Sequence, residues 1–168
     1  QSLVIVVNYA VTDGTDPQPQ KATITINGTN DKPTVSSTIT SVANEGAAAY
    51  NINLLSGAND VDTNDVLSIG SVTYKVDDGV ASGSAPTGFS IAGSTLTVDP
   101  ANVALNALAH GEKLSVLVAY TVLDGKGGSV AQTATITLTG TNDAPVITVI
   151  GNPSISAASG DVVFNGTL

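Results

Sequence analysis

The sequence predicts an all-β chain of antiparallel sandwiches arranged in tandem. Three observations predict it: an abundance of Val, Ile and Thr, strict alternation of apolar and polar residues, and a long internal repeat. Branched side chains fit a pleated, half-buried surface better than a helix, and alternation puts one face of each strand against a core.

The composition narrows the possible chemistry. The 168 residues carry 14 Asp plus Glu against 5 basic residues, all Lys, for a net charge of −9. That balance argues against nucleic acid, which is met by a basic patch, and against direct contact with an anionic membrane surface. It suits a chain that collects cations. Cys, Met and Trp are absent and there is one His, so zinc, iron–sulfur and thiol chemistry lose their usual ligands and no disulfide forms. A secreted domain without disulfides needs another staple, and a hard cation held by oxygen ligands supplies one. No apolar run reaches membrane-spanning length, and no basic leader opens the chain. An export signal and an anchor are therefore expected in a longer parent.

The repeat sets the domain organisation. Leu3-Val4-Ile5-Val6-Val7-Asn8-Tyr9-Ala10-Val11-Thr12-Asp13-Gly14 returns as Leu114-Ser115-Val116-Leu117-Val118-Ala119-Tyr120-Thr121-Val122-Leu123-Asp124-Gly125. Ala22-Thr23-Ile24-Thr25-Ile26-Asn27-Gly28-Thr29-Asn30-Asp31-Lys32-Pro33 returns as Ala134-Thr135-Ile136-Thr137-Leu138-Thr139-Gly140-Thr141-Asn142-Asp143-Ala144-Pro145. The offset is 111 positions in the first block and 112 in the second, so the intervening loop gains one residue. Residues 1–31 read as the tail of one repeat, 32–143 as a complete one and 144–168 as the start of a third. The period excludes small solenoids and matches an immunoglobulin-sized sandwich of about 100 residues. The apolar faces of the two partial repeats do not close locally. Either a longer chain surrounds them, or the fragments complete one another in some other way.

Each element has its own warrant. Leu3, Ile5, Val7, Tyr9 and Val11 share a face, as do Leu114, Val116, Val118, Tyr120 and Val122. Ala134, Ile136 and Leu138 oppose Thr135, Thr137 and Thr139. Further strands are expected at about 35–43, 48–55, 66–76, 88–92 and 95–98, with turn residues between them. A short helix is expected at 100–109, with Asp99 as N-cap, Pro100 at the first helical position and Gly111 beyond its end.

The acidic residues carry the functional signal. Asp60-Val61-Asp62-Thr63-Asn64-Asp65 follows an apolar stretch ending in Leu54-Leu55. Alternating Asp in a loop places carboxylates on one side of a bend, as Ca²⁺ requires. A solvated turn capping its own backbone fits this hexapeptide equally well. The chain has two Glu, Glu45 and Glu112, the latter just before the Leu114 strand. Together with the repeat-ending Asn-Asp-x-Pro and the Asp-Gly after Tyr-x-Val, the pattern resembles the cadherin repeat. It is still more similar to the VCBS and cadherin-like repeats of large bacterial RTX adhesins, with their Gly-Thr-Asn-Asp-x-Pro ends. The resemblance covers nearly the whole chain.

It implies immunoglobulin-like or cadherin-like sandwiches in tandem, with Ca²⁺ bound between neighbouring repeats. At a first junction, Asn30 and Asp31 would meet Asp60, Asp62 and Asp124. At a second, Glu45 and Glu112 would meet Asn142 and Asp143. Asp13 would belong to a junction upstream. His110-Gly111-Glu112 lacks the Asp and Arg that the family places before its Glu, which implies fewer ions at the second junction. Asp65 has no firm counterpart in the family and is left as a possible extra ligand. The implied function is a calcium-rigidified stalk on the bacterial cell surface, supporting adhesion and biofilm formation. Its partners would be neighbouring repeats, and other domains would bind the distal ligand.

Two other function classes compete. A module binding carbohydrate or protein would want exposed aromatics, yet aromatics are 4% of the chain and Tyr9 and Tyr120 read as core. An accessory domain of a secreted hydrolase would need its catalytic domain elsewhere. Activity in this chain itself is not expected: Ser, His and Asp have no triad spacing, and Gly125-Lys126-Gly127-Gly128 lacks the P-loop pattern. Asp77-Asp78-Gly79 reads as a hairpin turn, His110 as structural, and Asn27-Gly28-Thr29 and Asn165-Gly166-Thr167 as Asn-Gly turns rather than glycosylation acceptors. The Thr-x-Thr pairs are too short for an ice-binding rank.

Overall fold

A computed structural model describes residues 2–145. Eleven strands follow in order, with no α-helix among the described residues: β1 (Ser2–Val11), β2 (Gln18–Asn27), β3 (Thr34–Val35), β4 (Ile39–Asn44), β5 (Tyr50–Asn53), β6 (Ala58–Asn59), β7 (Ser68–Val76), β8 (Phe89–Ala92), β9 (Thr95–Val98), β10 (Lys113–Leu123) and β11 (Ser129–Thr139).

β1 and β2 pair only with each other, as an antiparallel hairpin with Ile5 opposite Ile24 and Val7 opposite Ala22. Residues 34–139 build the sandwich. One sheet has the order β4-β11-β10-β7 and the other β5-β9-β8, while β3 and β6 form a small ribbon. The pairing is antiparallel except between β11 and β4, which run parallel with Ala134 beside Ile39. Alternation fills the interior. Val116, Val118, Tyr120 and Val122 of β10 and Ala134, Ile136 and Leu138 of β11 meet Leu54, Phe89, Leu96 and Val98 in one cluster. Tyr120 is buried, which raises its phenol to about 12, and its hydroxyl donates to the carbonyl of Leu54 at 2.6 Å.

The structure corrects three local expectations. The helix at 100–109 does not form; the segment is a chain of turns. Asn102 N–H bonds the carbonyl of Asp99, Leu105 N–H that of Asn102, and the Asn102 side chain accepts from Ala104 N–H. These short-range bonds occupy the groups that helical bonds would need. Leu105, buried in the core, pins the turns to the sandwich.

The single strand expected at 35–43 breaks at Ser36–Thr38, because the chain changes sheets there. Val35 pairs with Ala58 and Ile39 with Ala134. The buried amide of Gln132 holds the crossing by donating to the carbonyl of Ser37 at 2.7 Å. Asn27-Gly28 makes no turn; β2 ends there and the chain continues as an extended linker. The Asp77-Asp78-Gly79 turn forms, with Asp77 in the left-handed region at φ 46°. Asn165-Gly166 and most of the third partial repeat lie outside the described residues.

Candidate metal centre

Three segments converge at the end of the sandwich where the chain enters it. They are the linker after β2, the β6–β7 loop holding Asp60, Asp62 and Asp65, and the β10–β11 loop holding Asp124. Asp62 N–H bonds Oδ1 of Asp60 at 2.9 Å, so the loop bends around its own first carboxylate. Asp65 N–H bonds the carbonyl of Asp62 at 3.1 Å and closes the turn. The result brings carboxylate oxygens of Asp60, Asp62 and Asp65 within 4.8 Å of one another. It is the one such group of three among the described residues.

The linker is tied to both loops. Asp31 N–H donates to Oδ2 of Asp62 at 2.9 Å, and the Asn30 amide donates to Oδ2 of Asp124 at 2.8 Å. Asp124 is itself buried, 1% exposed, and Oδ1 accepts from Lys126 N–H at 2.7 Å and Gly128 N–H at 2.9 Å. The Asn30 amide, followed by the N–H groups of Lys126, Gly128 and Gly127, holds its carboxyl below the usual range against the opposing effect of desolvation. Gly128 is required for this approach. A Cβ there would lie 2.1 Å from Oδ2 of Asp124 and 2.9 Å from Cα of Lys32.

Asp65 moves the other way. Desolvation first, then the charges of Asp62, Asp124 and Asp60, raise its carboxyl, and Lys126 offsets part of the rise. Oδ2 of Asp60 and Oδ2 of Asp65 are buried without a hydrogen-bond partner. A cleft of about 260 Å³ opens beside them, bordered by Asn30, Asp62, Asn64, Asp65 and Lys126. Orphaned anionic oxygens beside a polar cleft fit a hard divalent cation, whose charge would replace the missing donors.

The opposite end is built differently. Glu45 follows β4 and is buried, 4% exposed. Its Oε1 accepts from both the backbone N–H and the hydroxyl of Thr141, while Oε2 is buried without a partner. Glu112 caps the preceding turn, its Oε2 accepting from Ala109 N–H at 2.8 Å. Gly140 N–H bonds the carbonyl of Glu112, and Glu45 N–H that of Thr139. Both glutamates thus flank residues 139–141, but they do not gather with Asp143 into a metal-sized group. Asn142 and Asp143 are exposed, linked by a bond from the Asn142 amide to the Asp143 carbonyl at 3.2 Å. Asp13, in the β1–β2 loop, is exposed, and its carboxyl is lowered mainly by Thr15 N–H, then by the Thr15 hydroxyl and Asp16 N–H.

The structure places Asn30, Asp31, Asp60, Asp62 and Asp124 at one end of the sandwich, with Asp65 beside them. Its signal was the second gap of the loop: Asp62 and Asp65 stand three apart, the reach of a closed turn. The bond network places Asn30 and Asp124 beside the acidic trio rather than within it. The second set, Glu45, Glu112, Asn142 and Asp143, shares one end of the sandwich without converging.

A family model described as a bacterial Ig domain matches residues 30–137. No curated protein matches the chain.

Proposed function

The chain belongs to the bacterial Ig domain family, and from that premise we propose that it is a calcium-stiffened extender, one stretch of the stalk of a large secreted or surface-attached bacterial adhesin. Domains of this family are typically non-catalytic and often work outside the cell as spacers or adhesin modules. One observation carries the calcium reading: the linker that enters the sandwich is bonded to the same loop whose three aspartates crowd together. Asp31 N–H holds Asp62, and Asp60 and Asp65 each keep a buried oxygen without a donor.

In this reading Asp60, Asp62 and Asp65 hold the ion, and Asn30, Asp31 and Asp124 fix the linker against it. Without Ca²⁺ the carboxylates repel and the linker pivots on two hydrogen bonds. With Ca²⁺ the charge is neutralised and adjacent repeats are held at a fixed angle, so tandem units act as a rod. The stalk would project a ligand-binding domain supplied elsewhere in the parent, in support of adhesion and biofilm formation.

The test is a thermal melt in excess EDTA, in millimolar Ca²⁺ and in millimolar Mg²⁺. At a hundred times its dissociation constant, a ligand of the folded state adds about 2.7 kcal/mol. For a unit of this size that is a rise of the order of 10 °C. A calcium-specific rise of that order supports the reading. Equal midpoints in all three buffers would reduce the loop to a solvated turn and remove the stiffening mechanism.

A further inference from the structure

Lys126 stands at the edge of the cleft beside the acidic trio, and the calcium reading leaves its side chain unused. It follows Asp124 by two residues and borders the cleft together with Asn30, Asp62, Asn64 and Asp65. Its backbone is fixed there. Lys126 N–H donates to Oδ1 of the buried Asp124 at 2.7 Å, and Gly125 and Gly127 on either side take left-handed φ of 74° and 108°. The residue itself is exposed. A flexible four-carbon stem thus carries a compact ammonium across the mouth of the cleft from a fixed root. Its charge opposes the crowding that Asp62, Asp124 and Asp60 impose on Asp65.

The other Asp-Gly loop shows that the turn does not require a lysine. At the offset of 111 positions that aligns β1 with β10, Asp13 corresponds to Asp124 and Thr15 to Lys126. The backbone bond is the same in both loops, since Thr15 N–H donates to Oδ1 of Asp13 at 3.0 Å. The side chain differs: Thr15 places a neutral hydroxyl on that same carboxylate oxygen. The turn therefore uses the N–H at this position and accepts either side chain, so the ammonium is a property of the acidic end and not of the loop. A group on a short tether acts at an effective concentration of about millimolar. Oxygen sites in extracellular modules hold Ca²⁺ with dissociation constants of about 10⁻⁴–10⁻³ M. A competitor of that strength is enough to move the response to calcium.

Resting on the calcium reading above, we propose that Lys126 is a tethered counter-ion of this site: its ammonium neutralises the acidic trio until Ca²⁺ displaces it, and so sets the calcium concentration at which the junction stiffens. A junction with threonine at this position, as at Thr15, stiffens at lower calcium.

Calorimetric titration of the full chain with Ca²⁺ tests this. Lys126→Gln removes the ammonium, Lys126→Arg keeps a tethered charge, and Lys113→Gln removes an equal charge at the start of β10, the Glu45 end of the sandwich. An exposed charge pair shifts an equilibrium by up to about fivefold per unit charge, so Lys126→Gln should tighten Ca²⁺ binding by about threefold to tenfold. The other two variants should stay within about twofold of the unmodified chain. In EDTA, Lys126→Gln should melt about 1–3 °C below the unmodified chain, because the apo carboxylates have lost their counter-ion. An unchanged or weaker affinity in Lys126→Gln, with the calcium response of the unmodified chain intact, would overturn the proposal and leave the calcium reading standing. Equal tightening in Lys113→Gln would overturn it too, since net charge alone would then be the cause. An unmodified chain that takes up no Ca²⁺ would remove the calcium reading and this proposal with it.

Discussion

The two hairpins are a natural experiment in how much of a β-structure its own sequence determines. β1–β2 and β10–β11 share alternation, composition and antiparallel register. Both form, yet one is open on both faces while the other supplies seven of the buried core residues. The pattern therefore specifies a pleated ribbon and its apolar face, and neighbouring strands decide whether that face is worth anything in stability. The loops repeat the lesson. Asp124 accepts from Asn30 across the junction, whereas Asp13 bonds only to Thr15 and Asp16 within its own turn.

The sharpest way to break this comparison is to truncate matched residues. Ile136→Ala opens a void in a closed core and should cost about 2–5 kcal/mol. Its counterpart Ile24→Ala removes exposed surface and should stay within about 0.5 kcal/mol. Urea unfolding measures both. Comparable losses at the two sites would mean that the hairpin packs against a core of its own.

A smaller effect is expected at the loops. Gly128→Ala drives a methyl group into Oδ2 of Asp124 and the backbone of Lys32. Overpacking of this kind costs about 1–3 kcal/mol. In the β1–β2 loop, a Cβ on Gly14 meets nothing within 4 Å, although φ there is 105°. Gly14→Ala should therefore strain the turn alone and leave the midpoint of the sandwich in place. Two equal drops in midpoint would show that the loops are coupled.

Acid titration separates the same loops by the size of their effect on the sandwich. The carboxyls of Asp124 and Asp13 are both held below their ordinary value of 3.8 in the folded chain. Each therefore contributes stability that is present above that value and lost as pH falls through the lowered one. Asp124→Asn should lower the midpoint at neutral pH, and the gap to the unmodified chain should narrow below about pH 4. Asp13→Asn should leave the melt of the sandwich nearly unchanged at both pH values, because the groups that hold Asp13 lie outside it. Differential scanning calorimetry at pH 7 and pH 3 reads both.

These contrasts mark where the sequence was legible. Period-two alternation located the long strands, because a half-buried face leaves an imprint on every second residue. The ribbon of β3 and β6 left none. Ala58–Asn59 is two residues long, and its pairing with Thr34–Val35 is a tertiary choice that no local pattern records. The expected helix at 100–109 failed because capping residues are also turn residues. Asn102 closed a turn where a helix needed it to propagate. In the candidate site, the Asp60-Asp62 spacing alone fitted a solvated turn equally well, and it was the resemblance to cadherin-like repeats that implied a meeting with Asn30 and Asp31. Which carboxylate would be short of donors depends on through-space neighbours, and so Asp65 stayed open.

Asp65 also gives the finest test of the acidic end against the glutamate end. Its folded carboxyl is raised, so the folded chain holds more protons than the unfolded one in the window above 3.8. Its ionisation therefore opposes folding, and stability falls as pH rises through that window. Asp65→Asn removes the opposition. In EDTA at pH 7 the variant should melt slightly above the unmodified chain, and the difference should vanish at pH 3. In millimolar Ca²⁺ the order should invert, because the variant lacks one of the proposed ligands. Glu112→Gln, whose oxygen only caps a local turn, should show no such inversion. An Asp65→Asn variant that melts lower in EDTA and Ca²⁺ alike would mean that Asp65 is a structural hydrogen-bond acceptor, and the crowding on which the proposed cation site rests would lose its energetic basis.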